Sequence, residues 1–289
     1  MNDKRRKFRE LLQRDGMIVA PGACDALTAR IVQAAGFEVC YMGGNGSVAS
    51  MLGVPDIGLA TFSEMAERAR NVAACIDLPL ICDADTGYGN VNNVIRTVRT
   101  LEQAGVVGIH LEDQVTPKKC GAMAGLKLVS VEESAAKISA AVGARRDPDF
   151  IVIARTDSRA VMDLEEAIRR VQAFEAAGAD MVYVEMLRSL DEVKAVVDSV
   201  NVPVVYDVLE TTGIEQPSNQ ELEAAGVKMA IYSMSGTLLM AGTMQHFMSD
   251  LKANGTTSSW ISRMLPLHDY EKLLGSEEQA AYQSKYGTF

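Results

Sequence analysis

The chain has 289 residues, 48% of them hydrophobic and 23% charged, and its formal net charge is −10 at pH 7. This length suits one large α/β barrel or two average domains. The acidic balance argues against nonspecific binding to nucleic acid or anionic lipid, because both require basic patches. No apolar stretch is long enough to span a bilayer and no secretory signal is present, so we expect a cytoplasmic protein that acts on small molecules.

The chain begins with the pattern of an amphipathic helix. A basic run, residues 4–7, is followed by Phe8, Leu11 and Leu12 at helical spacing. We therefore predict a first helix whose solvated face carries the basic run, rather than a targeting signal.

Short apolar runs, each followed by a helical pattern, predict buried parallel strands with crossover helices. Eight such units indicate a closed (β/α)₈ barrel; an open doubly wound sheet is the alternative, and the lack of GxGxxG after the first strand disfavours it. Several helix-to-strand joints end in glycine, which supplies a left-handed C-cap. The predicted strand centres are Ile18, Cys40, Ile81, Ile109, Val152, Val182, Val205 and Ile231, and the joint glycines are Gly36, Gly105, Gly178 and Gly226.

Two long stretches without a helical pattern, 43–62 and 115–129, follow the second and fourth strands. In a barrel they would form loops or lids over the catalytic rim. We predict that residues 1–289 form a single barrel domain. Residues 255–289 lie beyond the eighth helix as a helical appendage, which can pack on a neighbouring subunit or exchange with it.

The cysteines are odd in number and widely spaced, which indicates reduced thiols rather than a disulfide framework. They are Cys24, Cys40, Cys75, Cys82 and Cys120, and none forms a CxxC pair. Cys40, Cys75 and Cys82 lie in apolar runs, so we predict them to be small buried core residues. Cys120 lies in the second long loop.

Acidic side chains follow the apolar runs of two neighbouring strands. Asp83 and Asp85 share one face at the end of the third strand, and His110 and Glu112 share one face of the fourth. The three carboxylates would therefore converge, and hard oxygen ligands suit Mg²⁺ or Mn²⁺. The alternative is that the two aspartates cap a helix or pair with lysines. The nearby Glu112 and the glycine-containing loop 87–89 favour the metal.

Four motifs in chain order resemble those of the isocitrate lyase and phosphoenolpyruvate mutase superfamily. They are 83–89 (DADTGYG), 108–114 (GIHLEDQ), 118–121 (KKCG) and 154–157 (ARTD), and segment 52–56 (LGVPD) also resembles the family. The resemblance runs from the first strand to the eighth. The KKCG stretch resembles the lyase branch, which includes 2-methylisocitrate lyase, rather than the phosphonomutase branch, which lacks this cysteine.

The resemblance implies a carbon–carbon lyase that cleaves a small 2-hydroxy di- or tricarboxylic acid into a 2-oxo acid and a carboxylic acid. Mg²⁺ (or Mn²⁺), held by Asp83, Asp85 and Glu112, partly through water, would stabilise the developing negative charge. Cys120 would protonate the departing carbanion, because an unperturbed thiol is mostly protonated at neutral pH; an incidental loop cysteine is the alternative. Tyr41 would accept the hydroxyl proton, unless it is only a packing residue.

The resemblance also implies contacts to the substrate and a homotetramer with exchanged C-terminal helices. Arg155 would bind a carboxylate through two hydrogen bonds. Backbone N–H groups of residues 43–45 would cradle the carboxylate of the oxo acid, because glycine permits close approach; a plain flexible loop is the alternative. The loop residues are Gly43, Gly44 and Asn45. The resemblance also implies substrate contacts by His110, Glu185 and Asp207.

Three positions depart from the 2-methylisocitrate lyase pattern. Ala122 stands in place of a histidine, Gly43 in place of a serine and Asp207 in place of an asparagine. Ala122 removes one hydrogen-bond donor, and an acid at 207 would repel a carboxylate. Together the three departures favour a substituted malate or oxaloacetate over a tricarboxylic acid. Oxaloacetate decarboxylation or hydrolysis, a phosphonopyruvate-type mutase or hydrolase, and a non-catalytic metabolite-binding barrel remain the alternatives. Intact Cys120 disfavours the last of these.

Overall fold

Eight parallel strands form the barrel in the computed structural model, which describes residues 2–210 and 212–287. Around the sheet the order is β1-β8-β7-β6-β5-β4-β3-β2, and a bridge between Gly22 and Tyr41 joins β1 to β2. The predicted (β/α)₈ barrel is therefore confirmed, and every strand contains its predicted centre. The strands are β1 (Ile18–Pro21), β2 (Cys40–Met42), β3 (Leu80–Asp83), β4 (Gly108–Glu112), β5 (Ile151–Thr156), β6 (Met181–Val184), β7 (Val204–Asp207) and β8 (Met229–Tyr232).

Helices alternate with the strands and continue beyond the barrel. The joint glycines adopt positive φ, from 85° at Gly36 to 95° at Gly178, as predicted for left-handed C-caps. No helix within the described residues is long and apolar enough to cross a membrane. The helices are α1 (Asn2–Gln13), α2 (Ala26–Ala34), α3 (Gly44–Leu52), α4 (Phe62–Cys75), α5 (Val91–Gln103), α6 (Val131–Ala144), α7 (Ser158–Val161), α8 (Leu164–Ala176), α9 (Leu190–Ser199), α10 (Asn219–Ala224), α11 (Ser235–Asn254), a 3₁₀ helix (Ser258–Arg263), α12 (Leu267–Leu273) and α13 (Ser276–Tyr286).

The first long loop is not free of helix, which corrects the prediction for 43–62. Helix α3 begins at Gly44 and buries its first turns, including Ser47 and Val48. Two glycines in its first turn lower the intrinsic helix propensity, so the sequence pattern indicates a loop. Burial against the barrel rim offsets that cost. The second stretch, 115–129, contains no helix, as predicted.

The basic run of α1 is only partly solvated, which corrects a second prediction. Arg5 is buried, pairs with Asp147 at 2.9 Å, and lies over the ring of Phe150. Lys4 donates to the carbonyl of Ala73. These partners lie at the ends of helices or just before strands, so α1 packs across the end of the barrel opposite the strand C-termini. Only the second half of the run faces solvent.

The core has two layers. One lies between the strands and the surrounding helices and includes Cys40 and Cys82, which are fully buried as predicted, whereas Cys75 is half-buried. The other fills the barrel interior, from Phe8 of α1 at one end to Tyr183 near the other. The strand C-termini beyond this inner layer are therefore the part of the barrel that is open to a ligand.

Candidate active site

A small cavity opens at the carboxyl ends of the strands. Strand register places Asp83 beside His110 and Glu112 beside Arg155. Asp85 and His110 lie behind the cavity wall, each bonded to a side chain that lines it. The predicted site residues that line the cavity are Tyr41, Gly43, Gly44, Asn45, Asp83, Glu112, Cys120, Arg155, Glu185 and Asp207.

The aspartates at the end of β3 converge beneath the start of α3. The backbone N–H of Gly44 donates to Asp83 Oδ2 at 3.0 Å. A Cβ at Gly44 would lie 2.7 Å from Asp83 Oδ2 and 3.4 Å from Asp85 Oδ1, so only glycine fits without a shift. Asp85 has a φ of 47°, which is uncommon for a residue other than glycine. The chain therefore accepts strained backbone to bring these carboxylates together.

A lysine from the second long loop neutralises this cluster. Lys118 Nζ lies 2.6 Å from Asp56 Oδ2 and 2.7 Å from Asp85 Oδ1. All three side chains are buried. Neither Asp56 nor Lys118 was identified as a site residue from the sequence, although both lie within the quoted motifs 52–56 and 118–121. The charge balance of the cluster depends on loop closure, which no local pattern reveals.

The carboxylates fit a hard divalent cation by their chemistry. Glu112 Oε1 is buried and has no hydrogen-bond partner among residues 2–210 and 212–287; such an oxygen requires a cation, a proton or water. Within the same residues, no three His, Cys, Asp or Glu side chains stand together as a ready-made metal cluster. The ammonium group of Lys118 supplies the positive charge between Asp56 and Asp85. The predicted ligands are thus neighbours, but one of them, Asp85, already pairs with an ammonium group.

Burial sets the protonation states of these groups. Burial raises the pKa of Asp85 to about 6, against the opposing charge of Lys118. It also raises the pKa of Glu112 well above its ordinary value, despite the nearby Arg155. Burial opposes ionisation of Asp83 as well, but the surrounding basic groups lower its pKa to about 2. Asp83 is therefore the permanent anion of the cluster, Asp85 is ionised above about pH 6, and Glu112 keeps its proton to a higher pH than an ordinary glutamate.

The loop that carries Cys120 is closed over the cavity. The backbone N–H of Cys120 donates to the carbonyl of Asp56 at 2.9 Å. A Cβ at Gly121 would lie 2.6 Å from both Asp157 Oδ1 and Glu185 Oε1, so the loop rests directly on the end of the barrel. Burial raises the pKa of the Cys120 thiol. A protonated sulfur therefore faces the cavity at neutral pH.

Tyr41 and His110 form a buried pair. Tyr41 Oη lies 2.6 Å from His110 Nε2, which itself is 3.5 Å from Asp83 Oδ1. Burial raises the pKa of Tyr41 well above its ordinary value and lowers the pKa of His110 to about 4. Tyr41 is therefore a neutral phenol beside a neutral imidazole. It can accept a substrate proton only if its own proton passes to His110.

Arg155 is held rigidly at the centre of the cavity floor. Asp157 accepts from Nε at 3.2 Å and from Nη2 at 2.8 Å, and the guanidinium lies over the ring of Tyr183. Glu112 and Glu185 lie within 3.5 Å. Asp157 thus occupies the Nε–Nη2 edge and Glu185 approaches Nη2 as well, which leaves Nη1 for a substrate carboxylate.

A second buried carboxylate fixes the position of Asp157. Asp113 Oδ1 accepts from the backbone N–H of Asp157 at 3.0 Å, and its Oδ2 accepts from Thr156 at 2.6 Å and from Arg170 at 2.8 Å. Asp113 and Asp157 both lie in the quoted motifs, but their supporting role was not predicted. Period-two alternation points Asp113 away from the face of Glu112, so the pattern offered no reason to select it.

The family model described as phosphoenolpyruvate phosphomutase matches residues 8–254. The 2,3-dimethylmalate lyase of Eubacterium barkeri is 41% identical over 282 residues, 98% of each chain. The 2-methylisocitrate lyase of Escherichia coli (strain K12) is 37% identical over 258 residues, 89% of this chain and 87% of that one. A solved oxaloacetate acetylhydrolase, in complex with the inhibitor 3,3-difluorooxalacetate, superposes with a TM-score of 0.94 at 32% identity and covers 100% of this chain and 99% of its own.

These matches span nearly the whole chain at identities above 30%, and the two sequence relatives are named as lyases. They agree with the enzyme class and the branch that the four motifs indicate. The chain therefore belongs to the phosphoenolpyruvate mutase and isocitrate lyase superfamily.

Proposed function

We propose that this protein is a Mg²⁺-dependent carbon–carbon lyase of the cytoplasm that cleaves a 2-hydroxy diacid of the substituted-malate type. The observation that carries the proposal is the pairing, across one small cavity, of a protonated Cys120 thiol with a carboxylate cluster and Arg155. Such a site can hold a dianion and deliver a proton to it. The identity to a 2,3-dimethylmalate lyase over almost the full length of both chains supports the same reaction.

The proposed metal ligands are Asp83, Asp85 and Glu112, whose oxygens suit Mg²⁺. When bound there, the ion supplies Lewis-acid stabilisation of negative charge on the substrate oxygens. Mn²⁺ has the same ligand preference. Arg155 binds a substrate carboxylate through Nη1. The backbone around Gly44 lies beside Asp83, one of the proposed metal ligands. The closed loop keeps water away from the reacting carbons.

The reaction breaks the bond between the hydroxyl-bearing carbon and its neighbour. The hydroxyl proton leaves to Tyr41, whose own proton moves to His110 across the 2.6 Å contact. The hydroxyl carbon becomes the carbonyl carbon of a 2-oxo acid, and the bonding electron pair stays on the departing carbon. Cys120 gives its proton to that carbon. The thiolate regains the proton taken from the hydroxyl group, so protons balance over the cycle.

A diacid fits better than a tricarboxylic acid. The cavity floor offers one guanidinium, from Arg155, among the carboxyls of Glu112, Glu185 and Asp207. Ala122 provides no side-chain donor on the loop. A third substrate carboxylate would therefore have no cation of its own, because Lys118 already pairs with Asp56 and Asp85, and its desolvation would cost free energy.

Hydrolysis of oxaloacetate is the second candidate. The observation that favours it is the near-complete superposition on oxaloacetate acetylhydrolase, with a TM-score of 0.94. The same cavity would then bind a 2-oxo rather than a 2-hydroxy diacid. Water would supply the added oxygen of the oxalate product, whereas the lyase reaction turns the substrate hydroxyl group into a carbonyl group and adds no oxygen.

A substrate panel separates the two candidates. The protein is incubated with Mg²⁺ and with malate, 2,3-dimethylmalate, 2-methylisocitrate or oxaloacetate, and products are followed by NMR. The lyase proposal predicts a 2-oxo acid and a monocarboxylic acid from a substituted malate. Oxalate from oxaloacetate, with no product from the 2-hydroxy acids, would support hydrolysis and contradict the lyase. A decarboxylase would instead release pyruvate from oxaloacetate.

Mg²⁺ binding is expected to weaken as the pH falls. Because burial raises the pKa of Asp85 to about 6, a proton competes with the ion for that carboxylate below this pH, and affinity should fall about tenfold for each pH unit. Above it Asp85 is already ionised, and any remaining dependence reports Glu112, whose pKa burial raises well above its ordinary value. Calorimetric titration with MgCl₂ from about pH 5 to about pH 8 measures this. A flat affinity over that range would contradict the assignment of Asp85 as a ligand.

We also propose that the protein is a homotetramer with exchanged C-terminal helices. Helix α11 follows β8, yet none of its residues is buried. The methionines Met240, Met244 and Met248 recur every fourth position and are 43%, 44% and 51% exposed. An unpartnered apolar stripe on the eighth barrel helix marks an interface. A second copy of the chain would cover it.

The assembly is expected to depend on this stripe. The double variant Met244→Glu with Met248→Glu should shift the protein from tetramer toward smaller species, because two negative charges without partners would be buried in the interface. Light scattering after size-exclusion chromatography measures the mass. Gln245→Glu, which adds one charge to an exposed polar position of the same helix, is the control and should stay tetrameric. An unchanged mass for the double variant would place the interface elsewhere.

A further inference from the structure

One wall of the cavity carries two acids joined by a tyrosine. Tyr183, from β6, has its hydroxyl group 3.1 Å from Asp207 Oδ2 and in closer contact with Glu185 Oε2. Asp207 Oδ2 is also 2.8 Å from Ser233 Oγ. Glu185 Oε1 lies 3.4 Å from Arg155 Nη2. The groups form one line of contacts from the end of β8 to the guanidinium on β5.

A count of hydrogen atoms limits how this line can be protonated. A phenol owns one hydroxyl hydrogen, so Tyr183 can donate to only one of the two carboxyl groups. The other oxygen within hydrogen-bond distance must then donate to the phenol, or two lone pairs would face each other in a dry site. Glu185 holds the closer contact and stands next to Arg155. The donor to the phenol is therefore Asp207, as a carboxylic acid.

The surroundings of Asp207 agree with this assignment. Its side chain is 8% exposed, and Tyr183 and Glu185 are buried more deeply. The charged and titratable groups that face it are Glu185 and Tyr183 from β6, Tyr41 from β2 and Arg155 from β5. Burial, followed by the charge of Glu185, raises the pKa of Asp207 well above its ordinary value.

We propose that Asp207 is a specificity-determining residue that is held as a neutral carboxylic acid by donating through Tyr183 to Glu185. The proton belongs to the pair of acids and rests on Asp207. In this state the wall presents a hydrogen-bonded neutral group to the cavity. An anionic diacid can then lie against residue 207 without the like-charge repulsion that an ionised aspartate would impose. The role in substrate choice rests on the proposed function.

The protonation state can be measured without a substrate. Infrared difference spectra of wild type minus Asp207→Asn, both with Mg²⁺ near neutral pH, should show the carbonyl stretch of a protonated carboxylic acid. Labelling with ¹³C-aspartate should shift that band, which separates it from glutamate. Absence of the band, or its insensitivity to the label, would overturn the proposal.

Two further variants test the bridge itself. Tyr183→Phe removes the acceptor of the acid hydrogen, so the pH at which the band disappears should fall by about one unit. Glu185→Gln removes the neighbouring negative charge and should lower that pH as well. An unchanged pH in both variants would overturn the proposal. Glu102→Gln is the matched control, because Glu102 is a buried carboxylate that accepts two backbone N–H groups far from the cavity.

Substrate affinity gives the second readout. With a substituted malate, the wild-type KM should rise about tenfold for each pH unit above the point where the band is lost, because only the neutral form binds. The KM of Asp207→Asn should not rise with pH in this range, since an amide does not ionise. A wild-type KM that stays flat through the loss of the band would overturn the specificity role. If no diacid is turned over at all, the proposed function fails, and the infrared result still decides the state of Asp207.

Discussion

Replacing Cys120 with serine should lower kcat by about 10²–10⁴-fold, the range typical of losing a general acid, and leave KM nearly unchanged. Serine keeps the size of the side chain and its place on the closed loop. Its hydroxyl group is a far weaker acid than a thiol, so it cannot deliver a proton to the departing carbon. Steady-state kinetics with the diacid identified by the substrate panel measure both constants.

The control for this change is Cys75→Ser. Cys75 is a half-buried cysteine on α4 whose sulfur contacts the backbone carbonyls of Ala26 and Val72, away from the cavity. Its kinetics should match those of the wild type. Turnover by Cys120→Ser within a factor of about three of the wild type would remove Cys120 from the role of proton donor.

Replacing Arg155 with methionine should lower the free energy of unfolding by roughly 3–5 kcal/mol, as expected when one partner of a buried ion pair is removed. Methionine fills a similar volume over the ring of Tyr183 but leaves Asp157 without its two-pronged partner. Glu112 and Glu185 also lose their nearest cation. Urea denaturation measures the loss, and substrate turnover should be abolished in the same variant.

The origin of this loss can be separated from side-chain packing. Adding Asp157→Asn to Arg155→Met should recover part of the stability, because the orphaned charge is then removed. Arg159→Met breaks a partly exposed pair with Glu192 and should cost much less. If Arg155→Met and Arg159→Met destabilise equally, the buried network does not hold the cavity floor as described.

The fold could be predicted because burial leaves a periodic signal in the sequence. Apolar runs such as 151–154 recur between helical patterns, and the glycines at joints such as Gly178 supply left-handed caps. Two elements escaped this logic. Helix α3 begins with glycine and small residues, so its propensity is poor and tertiary burial decides its form. Arg5 lies in a basic run that looks solvated, but its guanidinium is buried and pairs with a partly buried carboxylate, Asp147, that is distant in sequence.

The site was predictable wherever it follows strand alternation. Asp83, Glu112 and Arg155 stand at strand ends, and the barrel topology brings such ends together. The rest depends on contacts that no local pattern encodes. Lys118 reaches the aspartates only because its loop closes. The expectation that Asp207 would repel a carboxylate assumed an ionised acid. The contacts of Tyr183 with both Asp207 and Glu185, on which the proposed protonation of Asp207 rests, are visible only in three dimensions.

The most direct test of the proposed reaction is the cleavage of 2,3-dimethylmalate in D₂O, followed by NMR with and without EDTA. A metal-dependent lyase predicts pyruvate together with propionate that carries one deuteron on the carbon next to its carboxyl group, and no product once the metal is removed. Product formation that continues unchanged in EDTA, or an intact diacid in the presence of Mg²⁺ while other 2-hydroxy diacids are also untouched, would contradict the mechanism.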